Sequence, residues 1–287
     1  MKTFALATGS SGNCIYVETA NQKFIVDCGL SFSKSKEILE QKGINISELT
    51  GIFITHEHSD HVAGLKQFAK QLNCPIYVSK GTLSMLEDID STNFIIVKHH
   101  DILDLGDSRV FVVNKPHDAK EAISFIVESK SRKVGFFTDL GHVPDELIHV
   151  MKNLDMIYLE CNYSSEFIKE YCTHMSPRYL NRLMSNVGHL GLHQTIDAIE
   201  RFARDGQIIM LSHISENTIT YEEATTSIFR TLLNMSVDIQ LEVSFQGEAT
   251  EMFDLTLLDK KSSFIEKYED SLSDDSSQKA SIIEEVL

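Results

Sequence analysis

The chain has 287 residues, enough for one large domain or two small ones, and a hydrophobic content of 42% that supports a substantial core. Its formal net charge of −16 is the wrong sign for a protein that grips nucleic acid through a broad basic face, although two bound divalent cations add about +4 locally. No apolar run approaches the length of a membrane-spanning helix, residues 1–8 meet a glycine too soon for a secretory signal, and five cysteines (14, 28, 74, 161 and 172) without C-x-x-C spacing point to a reducing cytoplasm rather than a disulfide framework.

In chain order, residues 3–7 read as a strand, followed by a tight turn at Thr8-Gly9-Ser10-Ser11-Gly12-Asn13, residues that tolerate unusual backbone angles. Residues 14–18 and 23–27 form an expected hairpin through Asn21-Gln22. It ends at Asp27-Cys28-Gly29, where Asp27 is as well placed to touch a site as to make a plain turn. Residues 35–42 predict a helix stopped by Gly43. The apolar strand at 51–55 then runs into Thr55-His56-Glu57-His58-Ser59-Asp60-His61. Apolar positions return at helical spacing over 62–69. A strand-to-helix turn aims alternate side chains at different points, so His56 and His58 face one cation while Asp60 and His61 face a second. Neutral imidazole and carboxylate suit zinc, iron or manganese. An inert polar turn is the alternative reading, but such a density of ligating groups seldom arises without a ligand.

Residues 75–79 and 94–97 predict strands, with a short helix at 81–88 between them. His99-His100 reads as an exposed turn. The strand at 109–113 leads into Asn114-Lys115-Pro116-His117-Asp118-Ala119, which puts His117 at a strand end, the position from which open sheets present site residues. Residues 122–128 and 133–138 form a second hairpin capped by Asp139. A carboxylate there is placed to bridge two metals, or simply to precede the helix that begins at Pro144-Asp145-Glu146. The buried strand at 154–159 leads to Glu160-Cys161-Asn162-Tyr163. Ser176-Pro177 reads as an N-cap and first helical position for a helix to about residue 186, and an amphipathic helix follows Gly188-His189-Leu190 through residue 203. The strand at 207–211 ends in Ser212-His213-Ile214-Ser215-Glu216-Asn217. A helix at 221–233 and strands at 239–243 and 252–255 complete a domain spanning residues 1–259. Residues 260–287 are polar and acidic and read as a flexible tail.

The run from His56 to His61 is an H-x-H-x-D-H motif and resembles that of the metallo-β-lactamase superfamily. Periodicity alone supports a layered α/β (α+β) mixture; the resemblance implies a four-layer αββα sandwich. It also implies a ligand set: His56, His58 and His117 for one metal, Asp60, His61 and His213 for the other, and Asp139 bridging. Two divalent ions per chain follow, zinc first, with manganese or iron as alternatives. Aspartate at 139 implies phosphoester or thioester hydrolysis, since the β-lactam-hydrolysing members typically carry cysteine there. A metal-bridging hydroxide is then the expected nucleophile, with Asp60 catalytic in orienting it.

The turn at 8–13, Asn114 to Ala119, Thr138-Asp139-Leu140-Gly141-His142, Gly188-His189-Leu190 and Leu211 to Asn217 together resemble the YycJ/WalJ group of bacterial exonucleases, over nearly everything except the tail. That resemblance implies a cytoplasmic 5′-to-3′ exonuclease on double-stranded DNA, linked to DNA repair and its proteins. Glu160 to Tyr163 and Gly191-Leu192-His193 depart from the group's pattern. His189 is a catalytic candidate, binding a phosphate or protonating the leaving oxygen, with a structural histidine as the alternative. Arg178, Arg182, His193 and Asn217 are read as substrate-binding; Arg178, Arg182 and His193, with Arg201 and Arg204, make residues 176–204 the expected DNA-facing patch. The competing readings are a hydrolase of a small phosphodiester or thioester, a di-iron oxidoreductase, and a regulator tied to cell-wall signalling.

Overall fold

Phe24, Ile25 and Val26 are consecutive, apolar and buried, so the strand that carries them is covered on both faces. Phe24 and Val26 belong to one core and Ile25 to another. That alternation runs through the molecule and makes it layered. The structure, a computed structural model, describes residues 1–86, 89 and 92–258. The tail expected over 260–287 and the end of the helix expected at 81–88 lie outside the described residues.

The first sheet takes β1 (Lys2–Ala7), β2 (Cys14–Glu18), β3 (Lys23–Val26), β4 (Gly51–Phe53), β5 (Ile76–Ser79) and β6 (Phe94–Val97) in sequence order. The second takes β7 (Ile102–Asp104), β8 (Ser108–Asn114), β9 (Ile123–Ser129), β10 (Arg132–Phe137), β11 (Met156–Glu160), β12 (Ile208–Ser212) and β13 (Gln240–Val243), while β14 (Phe253–Asp254) returns to flank β1. Each sheet is antiparallel on one side and parallel on the other, with β3 to β6 and β10 to β13 the parallel runs. Between the sheets lies a core that includes Phe24, Phe53, Tyr77, Phe125, Phe136 and Tyr158. Phe53 stacks on Tyr77 at 4.6 Å within its own sheet and meets Phe125 of the other at 5.0 Å. Fully burying such a ring contributes about 1.5–3 kcal/mol.

Helices cover both outer faces. On the first sheet α1 (Phe32–Gln41), α2 (Ser59–Val62), α3 (Leu65–Gln71) and α4 (Lys80–Leu83) follow one another, and Ile38, Leu39, Leu65 and Phe68 from α1 and α3 enter one outer core with Phe4, Tyr16 and Ile25. On the second, α5 (Asp145–Met151), α6 (Ser165–Tyr171), α7 (Pro177–Leu183), α8 (Leu192–Phe202) and α9 (Tyr221–Met235) follow, and α5, α8 and α9 close the other outer core around Ile157, Leu159, Ile209 and Leu211. The result is the four-layer αββα sandwich. Among the described residues no helix is long and apolar enough to cross a membrane.

The helix expected over 62–69 is split. A Cβ on Gly64 would stand 2.0 Å from the Leu30 carbonyl oxygen, and the chain breaks there into α2 and α3. α6 and the three-residue β7 were not foreseen. β7 lies at the sheet edge with Ile102 exposed, so it lacks the apolar alternation that marks a half-buried strand.

Candidate metal centre

The strand ends converge. β4, β8, β10, β11 and β12 deliver Thr55 to His61, His117, Asp139, Glu160 and His213 respectively to one cleft, the place where open sheets present their sites. Asp27, Asp139 and His213 adopt φ of 62°, 57° and 52°. The left-handed region costs non-glycine residues energy and marks positions fixed by their surroundings. Gly29 is required for a related reason. A Cβ there would fall 1.8 Å from the Asp60 carbonyl oxygen, so only glycine lets the β3 loop pack against the histidine-rich turn.

Three imidazole nitrogens meet in the first cluster. His58 Nδ1 lies 3.1 Å from His56 Nε2 and 3.1 Å from His117 Nε2. Their far sides are engaged. Thr55 donates its hydroxyl to Asp27 at 2.8 Å, so the same oxygen accepts from His56 Nδ1 at 2.9 Å. His117 Nδ1 donates to the Gly188 carbonyl at 2.9 Å. With the protons on Nδ1, the Nε2 lone pairs of His56 and His117 are bare and face His58. Burial, with neighbouring positive groups, lowers the basicity of both, His56 well below its usual range and His117 to about 4. Bare lone pairs held this close fit a cation.

The second cluster is built with charge. Asp60, His61, Asp139 and His213 bring four ligand atoms within 4.8 Å of one another. His61 Nδ1 donates to Asp27 at 2.7 Å, and His213 Nδ1 donates to Glu160 at 2.8 Å. His61 Nε2 stands 3.0 Å from Asp139 Oδ2, and His213 Nε2 stands 3.6 Å from Asp60 Oδ2. His213 Nε2 and Asp139 Oδ2 are fully buried without a hydrogen-bond partner. A polar atom so placed is costly unless a ligand satisfies it. Burial works against a charge on either ring. Asp139 and Asp27 nevertheless raise His61 well above its usual range, and Asp139, Asp60 and Glu160 raise His213 to about 10. The carboxylates demand positive charge here, and the donor set fits a divalent ion. Asp139 belongs to this second cluster: its Oδ2 faces His61, and its Oδ1 lies 3.4 Å from His213 Nδ1, 3.8 Å from His189 Nδ1 and 3.9 Å from His117 Nε2 of the first cluster. Behind it Lys115 Nζ donates to the Thr138 carbonyl at 2.9 Å and stands 4.0 Å from Asp139 Oδ2.

Three supporting residues went unassigned or half-assigned from sequence. Glu160 is fully buried and accepts from His213 Nδ1, from His189 Nδ1 at 2.6 Å and from the Leu140 and Leu190 amides at 2.7 and 3.3 Å. It fixes the tautomers of two histidines at once. Its only sequence signal was a carboxylate at the end of a buried strand, in a stretch that departed from the group's pattern. Asn13 donates to the Gly9 carbonyl at 3.1 Å and to Asp60 Oδ2 at 3.2 Å, and its Nδ2 lies 3.0 Å from His61 Nε2, which ties the glycine-rich turn to the second cluster. Asp27 stands behind the ligands rather than among them, holding Thr55 and His61. Glu57, inside the motif, turns away to accept from Thr82 and the Lys120 amide.

The cleft has a volume of about 300 Å3. His58, Asp60, Asp139, His189 and His213 line it, with Ser10, Ser59, Tyr179 and Arg182 at its walls. Of the four residues read as substrate-binding, Arg182 reaches it, paired with Asp118 through both Nε and Nη2. Arg178 is exposed on α7 and does not line the cleft, His193 pairs with Glu166 at 3.2 Å on the surface, and Asn217 is exposed with its carbonyl accepting from Cys172. Arg201 pairs with Asp145 and Asp197, and Arg204 donates to the Lys152 and Leu154 carbonyls. The cations of the 176–204 stretch are thus dispersed among separate partners. His99 and His100 form a second histidine group with Glu146. There His99 Nδ1 accepts from the Asn114 amide at 3.1 Å, which leaves the ring proton on Nε2, 3.4 Å from Glu146. That tautomer offers the carboxylate a donor and a cation no lone pair.

Two adjoining histidine-rich clusters fitted to hold cations, set at the strand ends of an αββα sandwich, are those of a metal-dependent hydrolase. A model described as Beta-lactamase superfamily domain matches residues 22–214. Exodeoxyribonuclease YycJ of Bacillus anthracis is 30% identical over 254 residues, covering 87% of this chain and 93% of that protein. Exodeoxyribonuclease WalJ of Streptococcus pneumoniae is 27% identical over 261 residues, covering 87% of this chain and 96% of its own. The crystal structure of the metallo-beta-lactamase fold protein YhfI from Bacillus subtilis superposes with a TM-score of 0.66 at 15% identity, over 87% of this chain and 99% of that one. The chain belongs to the metallo-β-lactamase superfamily, within its YycJ/WalJ-like group.

Proposed function

We propose that the protein is a two-metal phosphodiesterase that shortens double-stranded DNA from the 5′ end, working in the cytoplasm and linked to DNA repair. The observation that carries this reading is Asp139, a member of the second cluster whose Oδ1 also lies 3.9 Å from His117 Nε2 of the first. A shared carboxylate suits a pair of ions held side by side, the arrangement that clamps the attacking and leaving oxygens of a phosphodiester. The names of the Bacillus and Streptococcus relatives support DNA as the substrate. His56, His58 and His117 would hold one ion, and Asp60, His61 and His213 the other, with Asp139 between; zinc suits these donors, and manganese or iron also fit. When bound, the ions supply an activated water-derived nucleophile and neutralise phosphate charge.

The chain's own residues do the rest. Asn13 and the α2 turn fix Asp60, which orients the attacking oxygen. Glu160 accepts from His189 Nδ1 and can stabilise the doubly protonated ring, whose Nε2 proton would pass to the leaving oxygen. Arg182, steered by Asp118, meets the substrate phosphate at the cleft wall. Residues 1–259 act as one catalytic domain.

The small cleft and the net charge of −16 favour a second reading, hydrolysis of a small phosphodiester. Duplexes labelled at either end, incubated with manganese or zinc, separate the two. Stepwise release from the 5′ end that disappears in Asp60→Ala is the expected result. Turnover of bis(p-nitrophenyl) phosphate with no shortening of any duplex would overturn the nuclease reading in favour of the second.

A further inference from the structure

α7 carries two side chains to the cleft wall, Tyr179 and Arg182. They are three residues apart and so share one face of the helix. The adjoining side is anchored. Leu183 is buried and Leu180 packs with it, in a cluster formed with Tyr163, Ile168 and Cys172. Tyr179 lies at the edge of that packed side and is not part of the cluster. It is 44% exposed, an aromatic ring left in water beside the ligand cages. Its neighbour Arg182 is tied to Asp118, which itself lies 3.5 Å from His117 Nε2.

The size of the cleft decides what reaches the cages. At about 300 Å3 it is at the small end for ligand sites. A single terminal nucleotide freed from its pair fits a cleft of this size better than a base pair does, and its phosphate then lies within reach of the clusters. A nucleotide taken out of the stack exposes the π face of its base. Tyr179 supplies a matching face on the same wall as the arginine suited to the phosphate.

We propose that Tyr179 is the stacking platform for an unpaired terminal nucleobase, so that DNA enters as a frayed single-stranded end rather than as an intact base pair. The proposal rests on the nuclease reading above and adds the form in which the substrate is taken. Ends that open easily are degraded faster than ends closed by G·C pairs, and the chemistry of the base matters little because every base has a π face.

The test uses the full chain with manganese, on duplexes that end in a G·C pair or in a mismatch. Wild type is expected to shorten the mismatched end faster. Y179A is expected to raise KM on both ends, on the order of tenfold, with kcat much less affected, while Y179F stays near wild type. With calcium in place of manganese, 2-aminopurine at the terminal position should be quenched on binding wild type and Y179F, and not on binding Y179A. Equal rates on the two ends, or unchanged KM and quenching in Y179A, would overturn the proposal while leaving the nuclease reading intact. No cleavage of any DNA by wild type would instead remove that reading and the proposal with it.

Discussion

The two cages hold similar imidazoles by different means. In the first, the far nitrogens of His56 and His117 rest on a hydroxyl and a backbone carbonyl, both neutral. In the second, the far nitrogens of His61 and His213 rest on the buried carboxylates of Asp27 and Glu160. The second also carries Asp60 directly. A buried carboxylate behind an imidazole raises its basicity and fixes its orientation. We predict that the second cluster binds an ion more tightly than the first.

The harshest way to break this comparison is to remove what the cages share. Asp139→Ala is expected to lower hydrolysis by about a thousandfold or more, since several kcal/mol of charge stabilisation depend on the paired ions. Metal analysis should then find fewer than two ions per chain; two ions with near-normal turnover would show that the cages do not depend on a bridge. Next come the residues behind the ligands. Glu160→Gln keeps the shape and removes the charge, and should weaken the tighter site by roughly 100-fold; Thr55→Val should weaken the looser site nearer tenfold. Chelator competition reads both, and equal losses in the two variants would erase the asymmetry.

The gentlest test is acid and base on the metal-free protein. His117 sits at about 4 in the folded state, chiefly through burial, against an ordinary value of 6.5. Between those values the unfolded chain binds a proton that the folded chain does not, so stability is lost as pH falls from about 6.5 towards 4. His213, raised to about 10 by Asp139, Asp60 and Glu160 against its burial, works in the opposite sense. Its contribution is present in full below about 6.5 and is lost as pH rises through about 10. Each effect is on the order of 1–3 kcal/mol. Melting temperature across pH 4 to 10 should fall on both sides, the acid side weakened by the first cage and the alkaline side by the second. A profile that stays flat would contradict this.

The residues that converge on the cleft were legible in the sequence because chemistry at a strand end leaves a local trace: an apolar run, then a histidine or aspartate. His117, Asp139 and His213 each follow such a run. The layered sandwich was legible only in part, since buried strands of both sheets read alike and the alternation of cores is a tertiary fact. The supporting residues left less trace. Glu160 meets His189 and His213 across 29 and 53 residues, and no spacing rule links them. Asn13 looked like a turn residue because it is one, and its amide also reaches Asp60. The basic stretch misled for a similar reason. Arg178 and Arg182 are neighbours in sequence, yet four residues of helix bring only Arg182 to the cleft, while Arg201 and Arg204 serve other partners.

The central claim is that two unequal cation sites share Asp139. Zinc titration of the metal-free protein against a chromogenic chelator tests it most directly. The account predicts two ions per chain taken up in two separate steps, the tighter step weakened in Glu160→Gln and the weaker step in Thr55→Val. A single ion per chain, or two indistinguishable steps that neither variant alters, would contradict it.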